Sequence, residues 1–414
     1  MTARLFQEGT SMKKIRRLFL AVLIHSALSG SPALAASAGD NTHTILIGFA
    51  GPLAWPLAQS GQYGVQLAID EANRAGYSMN GKKMVFKLLA MDDKADVAVA
   101  GFIAKSMVAA GVAGVIGHWL SAPTNVAAPI YAAAGVPQIS SSAAAPEFTQ
   151  QGYATSFRAV GSSEDAAIAI AEFATQELKS KRIAIIDDTT AFGARMAELF
   201  AEQFRSPNQV VVRSTVSNKT SDFNAVLTQF TAGEVDLIFF GGYLRRSEDL
   251  VRARQRLRVP AKLFLTGSVV NPIFLSMIQG AGDGLFASAP GKPYEEHPQF
   301  KALEKNFNVK FRTAISVYTV SSYDACNTLI AAIKKANSLE PRMIVEELHK
   351  IRHKGLLGTV AFDANGNLQN PAFTVYRIQD QRWVPVKTYD VRRKSCSPDT
   401  GTGTGAGTAA CDGN

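Results

Sequence analysis

The sequence predicts an α/β fold: two Rossmann-like lobes with parallel-rich sheets. Three observations carry this. Short apolar, strand-like runs alternate with amphipathic, helix-like runs through most of the chain. Such alternation builds parallel sheets with helices on both faces. It occurs as two successive series of about 120 residues each, and the chain after its leader is too long for one core.

The first series runs strand 44–50, helix 57–75, strand 84–91, helix 95–110, strand 112–117, helix 125–134 and strand 136–139. In its first helix Val65, Leu67, Ala68, Ile69 and Ala72 share an apolar side. The second series follows Arg158: strand 182–187, helix 192–204, strand 210–216, helix 222–231, strand 235–241, helix 247–256, strand 262–266, helix 272–279 and strand 284–289. Three amphipathic helices follow at 300–311, 317–337 and 341–351, then a strand at 358–362 and a turn at 363–367. Strands 373–379 and 382–389 flank Asp380-Gln381, a hairpin signal. Residues 393–414 turn polar and then Gly/Thr-rich, reading as a disordered tail.

Residues 1–35 read as a leader. Lys13, Lys14, Arg16 and Arg17 form a basic segment, residues 18–28 are mostly apolar and too short to span a bilayer, and Ala33-Leu34-Ala35 is a small-x-small cleavage site. This is a secretory signal peptide with its start at Met12, and the mature chain begins near Ala36. No Cys follows the cleavage site, so a lipid anchor is not expected. Of the formal charge of +9, Arg4, Lys13, Lys14, Arg16 and Arg17 against Glu8 supply +4, leaving +5. That mild, dispersed charge gives no case for nucleic acid. Of the three cysteines, Cys326 lies in an apolar helical run and reads as buried and inert. Cys396 and Cys411 flank the tail, where oxidation is open to an exported pair. The six His are scattered, so neither a metal nor a cofactor is expected.

The most informative stretch is 112–149. It reads as strand, hydroxyl loop, helix, strand and second hydroxyl loop. Ser121 and Thr124 stand near the helix start, and Ser140, Ser141, Ser142, Ala143, Ala144 and Ala145 make a small-residue loop. Loops at the carboxyl ends of adjacent parallel strands face the crevice where ligands bind, and helix N-termini there favour anions. The pattern points to a small carboxylate-bearing solute. Ser121 also fits a helix N-cap, and the two roles are compatible.

The runs ILIGFAGPLA, GVQLAIDEANRAG, GVIGHWLSAPTNVAAPIYAAAGVPQIS, APEFTQQGYATSFRAVGSSE, RIAIIDDTTAFG, FNAVLTQF, VDLIFFGGY and SSYDACNTLIAAI are individually weak, but their order and spacing are not. On them the chain resembles a branched-chain-amino-acid-type periplasmic solute-binding protein of an ABC importer, with the type I periplasmic binding fold, from about Thr44 to Tyr389. The resemblance implies two lobes joined by a three-crossing hinge, with crossings near 158–162, 287–290 and 358–362. Lobe 1 is then 41–160 with 290–358, and lobe 2 is 161–289 with 359–392. It implies a periplasmic monomer that binds an amino acid or other carboxylate, hands it to an ABC permease in the inner membrane, and neither binds nucleic acid nor catalyses a reaction.

Carried over residue by residue, the resemblance puts the ligand's carboxylate at Ser121 and at Ser142, Ala143 and Ala144. Phe192 and Tyr243 match the lobe-two aromatics, and Trp55 or its neighbour Leu57 lines the side-chain pocket. Two positions depart from the amino acid pattern: Ala144 replaces a Thr hydroxyl, and Ser268 stands where an ammonium-binding carboxylate is expected. Either Asp188 or Glu248 substitutes, or the ligand has no α-ammonium. Arg245 and Arg246 fit the cleft or a solvated helix start equally. His118 reads as a packed, satisfied histidine.

The alternative is a secreted α/β hydrolase with Asp187 or Asp188 in catalysis. The chain lacks the nucleophile elbow, the phosphate loop and the zinc-protease motif, and the acid pairs Asp92-Asp93 and Asp187-Asp188 read better as solvated loop acids. A repressor on this fold needs a DNA-binding head, and a chemoreceptor a membrane helix. The sequence shows neither.

Overall fold

The computed structural model describes residues 42–204, 209–219 and 221–391. The leader, Cys396, Cys411 and the tail lie outside them. The first sheet contains β1 (Thr42–Gly51), β2 (Ser78–Met79), β3 (Lys82–Asp92), β4 (Gly114–Gly117), β5 (Gln138–Ser140) and β6 (Ser156–Arg158), connected through α1 (Pro56–Ala75), α2 (Val97–Ala109), α3 (Ser121–Ala133) and the short α4 (Glu147–Gln150). The order is β2-β3-β1-β4-β5-β6, parallel apart from the β2 edge.

After α5 (Ser163–Gln176) the second sheet repeats the plan. Strands β7 (Arg182–Asp187), β8 (Val210–Thr215), β9 (Leu237–Gly241), β10 (Lys262–Thr266) and β11 (Leu285–Pro290) alternate with α6 (Ala191–Glu202), α7 (Asn224–Thr228), α8 (Leu244–Leu257) and α9 (Pro272–Ile278). Helices α10 (Phe300–Phe311), α11 (Val317–Ala336) and α12 (Pro341–Lys350) follow, then the small ladder β12 (His353–Lys354) and β13 (Thr359–Val360). The chain ends on the antiparallel hairpin β14 (Ala372–Gln379) and β15 (Arg382–Asp390), whose two-residue turn takes positive φ at Asp380 and Gln381. The second order is β15-β14-β11-β10-β9-β7-β8. Without the antiparallel additions, both sheets have one order: the second strand lies on one side of the first, and the third, fourth and fifth follow on the other.

Period-two alternation fills both faces. On β1, Ile45, Ile47 and Phe49 cluster with Val65, Ala68, Leu329 and Ile344, drawn from α1, α11 and α12. Ala50 and Val115 turn to Ile103, Met107 and Tyr131 on the α2–α3 face. On the second sheet Ile183, Ile185, Phe239 and Phe264 meet Phe173, Met196 and Phe200, while Ile186, Ile238, Phe240 and Leu265 meet Phe223, Leu250 and Phe274. Each such side chain contributes about 1.5–3 kcal/mol on burial. Cys326 is fully buried in this core, as expected, and burial pushes its thiol up.

Several elements differ from the sequence reading. Helix α3 begins at Ser121, not near 125, because Pro123 in a first turn loses no hydrogen bond. Helix α5 was not expected; its start carries a complete capping box between Ser162 and Asp165. The chain passes between the sheets three times. The first two passages follow β6 and β11. The third falls later than 358–362. Val360 and Phe362 belong to the first core, Phe362 bridges Leu368, and Asn367 bridges Arg158, so the chain leaves the first sheet only after Leu368.

Arg158 anchors the first passage. It is fully buried, and its Nη1 donates to the Ala145 carbonyl at 2.6 Å. Nη2 donates to Thr149 Oγ1 at 2.8 Å and Asn367 Oδ1 at 3.0 Å. Hydrogen bonds to a charged group are worth about 1.5–3 kcal/mol each. Arg158→Met is therefore expected to cost about 3 kcal/mol or more, lowering the thermal midpoint by roughly 6 °C or more. Calorimetry checks this; a fall of less than about 2 °C contradicts an anchoring role.

Candidate functional site

Both sheets reverse their winding between the first and third strands, and the loops there open at the carboxyl edge. In the first sheet these loops follow β1 and β4. The first turns at Pro52–Trp55 into α1, leaving Trp55 43% exposed. The second begins at Gly117, whose φ is 132° and where a side-chain carbon would lie 2.5 Å from the Ala50 carbonyl. His118 turns inward and is fully buried, its Nδ1 2.9 Å from Asp93 Oδ2 and its Nε2 3.2 Å from the Tyr131 hydroxyl. The carboxylate accepts from Nδ1, and the Tyr131 hydroxyl, beside Nε2, donates to Met107 Sδ at 3.4 Å. Burial, and then Asp93, push the Tyr131 phenol far up, keeping that donor protonated. His118 is thus a satisfied, packed histidine, as expected.

Ser121 is the first residue of α3, and Leu120 takes the N-cap position. The N-cap reading of Ser121 is therefore corrected. Its Oγ accepts from the Ala145 N–H at 3.4 Å, linking the two hydroxyl loops. Thr124 Oγ1 donates back to the His118 and Leu120 carbonyls, each at 2.8 Å. In the second loop Ser142 Oγ donates to the Trp119 carbonyl at 2.6 Å, and Ser140 Oγ to that of Ala143 at 3.0 Å. The Ala144 carbonyl accepts from the Ser163 N–H at 2.8 Å. The hydroxyls of Ser140 and Ser142 thus brace the loops.

In the second sheet the corresponding loops follow β7 and β9. Asp187 and Asp188 are each only 1% exposed, and Asp93 is fully buried. The expectation of solvated acids is wrong for these three: each carboxylate is buried and accepts at least one hydrogen bond from its own fold, while Asp187 Oδ2 has no hydrogen-bond partner among the described residues. Asp187 accepts from the Thr189 N–H at 3.0 Å and lies 3.8 Å from Arg213. Asp188 Oδ1 accepts from the Thr190 N–H at 3.1 Å and its hydroxyl at 2.5 Å, and Oδ2 accepts from the Tyr243 N–H at 3.1 Å. This brings Phe192 and Tyr243 together, stacked with centroids 5.2 Å apart. Ser268 sits in a short turn after β10, its hydroxyl buried without a protein partner.

These loops enclose a cleft of ≈ 810 Å³. Trp55, Leu57, Ser121, Ser142, Ala143, Ala144, Phe192, Tyr243, Ser268, Arg245 and Arg246 all line it, so the structure brings the expected site residues together. His118 and Glu248 do not; Glu248 pairs with Arg252 at 2.9 Å. Tyr318, Ser163 and Ser288 line the cleft as well and were not anticipated. Tyr318 stands at the start of α11, 5.6 Å from the Trp119 ring, and a side-chain carbon on Gly267 would lie 3.4 Å from its hydroxyl. It thereby joins the two walls. Its only sequence signal was the capping box of Ser316 and Thr319. Among the described residues, none lining the cleft is a His, Cys or Lys.

Residues 44–382 match the sequence model of a family described as periplasmic binding protein. The chain belongs to the periplasmic binding protein family. It is 30% identical over 374 residues to the leucine-, isoleucine-, valine-, threonine- and alanine-binding protein of Pseudomonas aeruginosa, covering 89% of this chain and 96% of that one. It is 27% identical over 354 residues to the leucine-specific-binding protein of Salmonella typhimurium, covering 84% and 95%. Among solved structures, the fold matches a branched-chain amino acid transporter substrate-binding protein of Streptococcus pneumoniae in complex with isoleucine. The TM-score is 0.74 at 22% identity, over 83% of this chain and 100% of that one. It equally matches a solute-binding protein of R. palustris in complex with benzoate, with TM-score 0.75 at 16% identity, over 85% and 99%.

In this periplasmic binding protein the cleft phenols stay neutral at ordinary pH. Burial pushes the Tyr318 phenol up to about 12, and burial followed by Asp188 raises Tyr243 as well. The unfolded chain releases such protons near pH 10. The stability these phenols confer is therefore full below about pH 10 and is lost as pH rises toward 12. Tyr318→Phe should flatten that alkaline decline in urea unfolding between about pH 9 and 11. Parallel profiles for variant and parent would contradict it.

Proposed function

We propose that this protein is the periplasmic substrate-binding component of an ABC importer. It captures a small carboxylate-bearing solute in the cleft and presents it to a membrane permease. The observation that carries this reading is the convergence, at one cleft, of the strand-end loops of two sheets joined by three passages. The resemblance of relatives that bind branched-chain amino acids supports it. The lobes are the two sheets with their helices: 42–160 with 291–368, and 161–290 with 369–391. The leader exports the chain, which acts as a monomer without a cofactor.

In this reading α3 directs its first backbone N–H groups, which lack intrahelical partners, toward the ligand's carboxylate. Ser121 adds its hydroxyl, and the loop at Ser142, Ala143 and Ala144 closes the other side with small side chains. Phe192, Tyr243 and Trp55 hold the rest of the solute, with Ser268 at its far end. Contacts from both lobes favour a closed state, which the permease reads.

Three outcomes follow. A saturating ligand at a hundredfold excess over its dissociation constant should add about 2.7 kcal/mol of stability. Ser121→Ala should weaken binding roughly tenfold to a hundredfold, the value of one charge-assisted hydrogen bond, with the unfolding midpoint nearly unchanged. Unchanged affinity would remove Ser121 from the site. Ligand should also shrink the radius of gyration measured by X-ray scattering; superimposable curves with and without ligand would contradict closure.

A further inference from the structure

The charge balance of the cleft constrains its ligand beyond a carboxylate. Among the described residues lining it, Asp188 is the sole acid, against the guanidiniums of Arg245 and Arg246, the latter already paired with Asp249 at 3.1 Å. Asp188 is committed to the protein: Thr190 supplies two hydrogen bonds and the Tyr243 backbone a third. The surrounding chain also presses on it. Side-chain carbons at Gly193 and Gly242 would fall 2.2 Å and 2.9 Å from its two oxygens. An ammonium enclosed here would lose its water and find no carboxylate to replace it.

The remaining polar groups are neutral. The hydroxyls of Ser163, Ser268 and Ser288 line the cleft, buried, without a protein partner. Ser163 and Ser288 are 1% and 5% exposed. Hydroxyls both donate and accept, so they satisfy an oxygen of the ligand but do not neutralise a cation. Aromatic rings line both sides of the wall, Trp119 and Tyr318 on one and the Phe192–Tyr243 stack on the other, with aliphatic side chains such as Ile170, Met196 and Ile273 between them. Flat rings match a flat ligand by offset stacking and edge contacts. Cation–π attraction to them recovers only part of the desolvation cost of an ammonium.

We infer that the ligand is an aromatic monocarboxylate without an α-ammonium. Its carboxylate lies at Ser121 and the Ala143–Ala145 loop, and its ring lies between the aromatic walls. This rests on the reading of the cleft as a carboxylate site. The test is titration calorimetry on the exported, exhaustively dialysed chain with two matched pairs: 3-phenylpropanoate against phenylalanine, and 4-methylpentanoate against leucine. Within each pair the carboxylate and the side chain are the same, and only the ammonium differs. The amine-free acid should bind at least tenfold more tightly in both pairs, and 3-phenylpropanoate more tightly than 4-methylpentanoate. An amino acid binding more tightly than its amine-free partner overturns the inference and leaves the carboxylate reading standing. So does a preference for the aliphatic acid. Failure of all four to bind overturns both.

Discussion

The site depends on one buried guanidinium. Arg158 closes the first sheet at its last strand, and its side chain donates to three different segments: Ala145 ends the hydroxyl loop, Thr149 lies on α4, and Asn367 is on the returning chain. A charge taken so far from water is tolerated only when its donors are met, so these segments are held in one arrangement. The second hydroxyl loop and two of the three passages between sheets are therefore fixed to the same body. The segments that cross between the sheets are short: the residues just after Arg158, those after Pro290, and those before β14. The first and third of these touch, since a side-chain carbon on Gly161 would lie 3.0 Å from Pro371.

A second device is repeated in both sheets. A buried aspartate at the carboxyl edge of one strand positions the loop after a nearby strand. Asp93, just past β3, holds the His118 ring after β4; Asp188, just past β7, holds the Tyr243 backbone after β9. In each case the carboxylate serves the scaffold, and what the held loop turns to the cleft is hydroxyls, backbone and rings. Fixed neutral donors suit an anionic group, because they are already oriented when it arrives.

Most of the fold was legible in the sequence because the physics that sets it is local. Apolar period and turn residues define β7, β10 and α10 to the residue. That the loops at Ser121 and Ser142–Ala144 and the aromatics Phe192 and Tyr243 share one cleft was readable, since they follow strand ends at the carboxyl edge of such a sheet. Other features lay beyond local reading. The burial of Asp93, Asp187 and Asp188 depends on partners on neighbouring loops. Tyr318 reaches the cleft from a helix nearly two hundred residues beyond the first site loop. The third passage falls later than expected because the pairing of Asn367 with Arg158 is a long-range contact. Helix α5 was a local miss, although its capping box and apolar period are legible in the sequence.

The position of Tyr318 shows how packing far from a ligand sets the geometry around it. Helix α11 lies close on α1 because Gly61 and Gly64 leave room. A side-chain carbon at Gly64 would fall 2.2 Å from the Thr319 carbonyl, and one at Gly61 would meet the Trp119 ring at the same distance. The Ser60 and Thr319 hydroxyls bond across this contact. Two absent side chains thus allow α11 to advance, Trp119 to settle beneath the first ligand loop, and Tyr318 to reach across to Gly267. The aromatic wall and the hydroxyl loop are therefore set by one helix contact, and bulk added at that contact acts on the cleft without touching the solute.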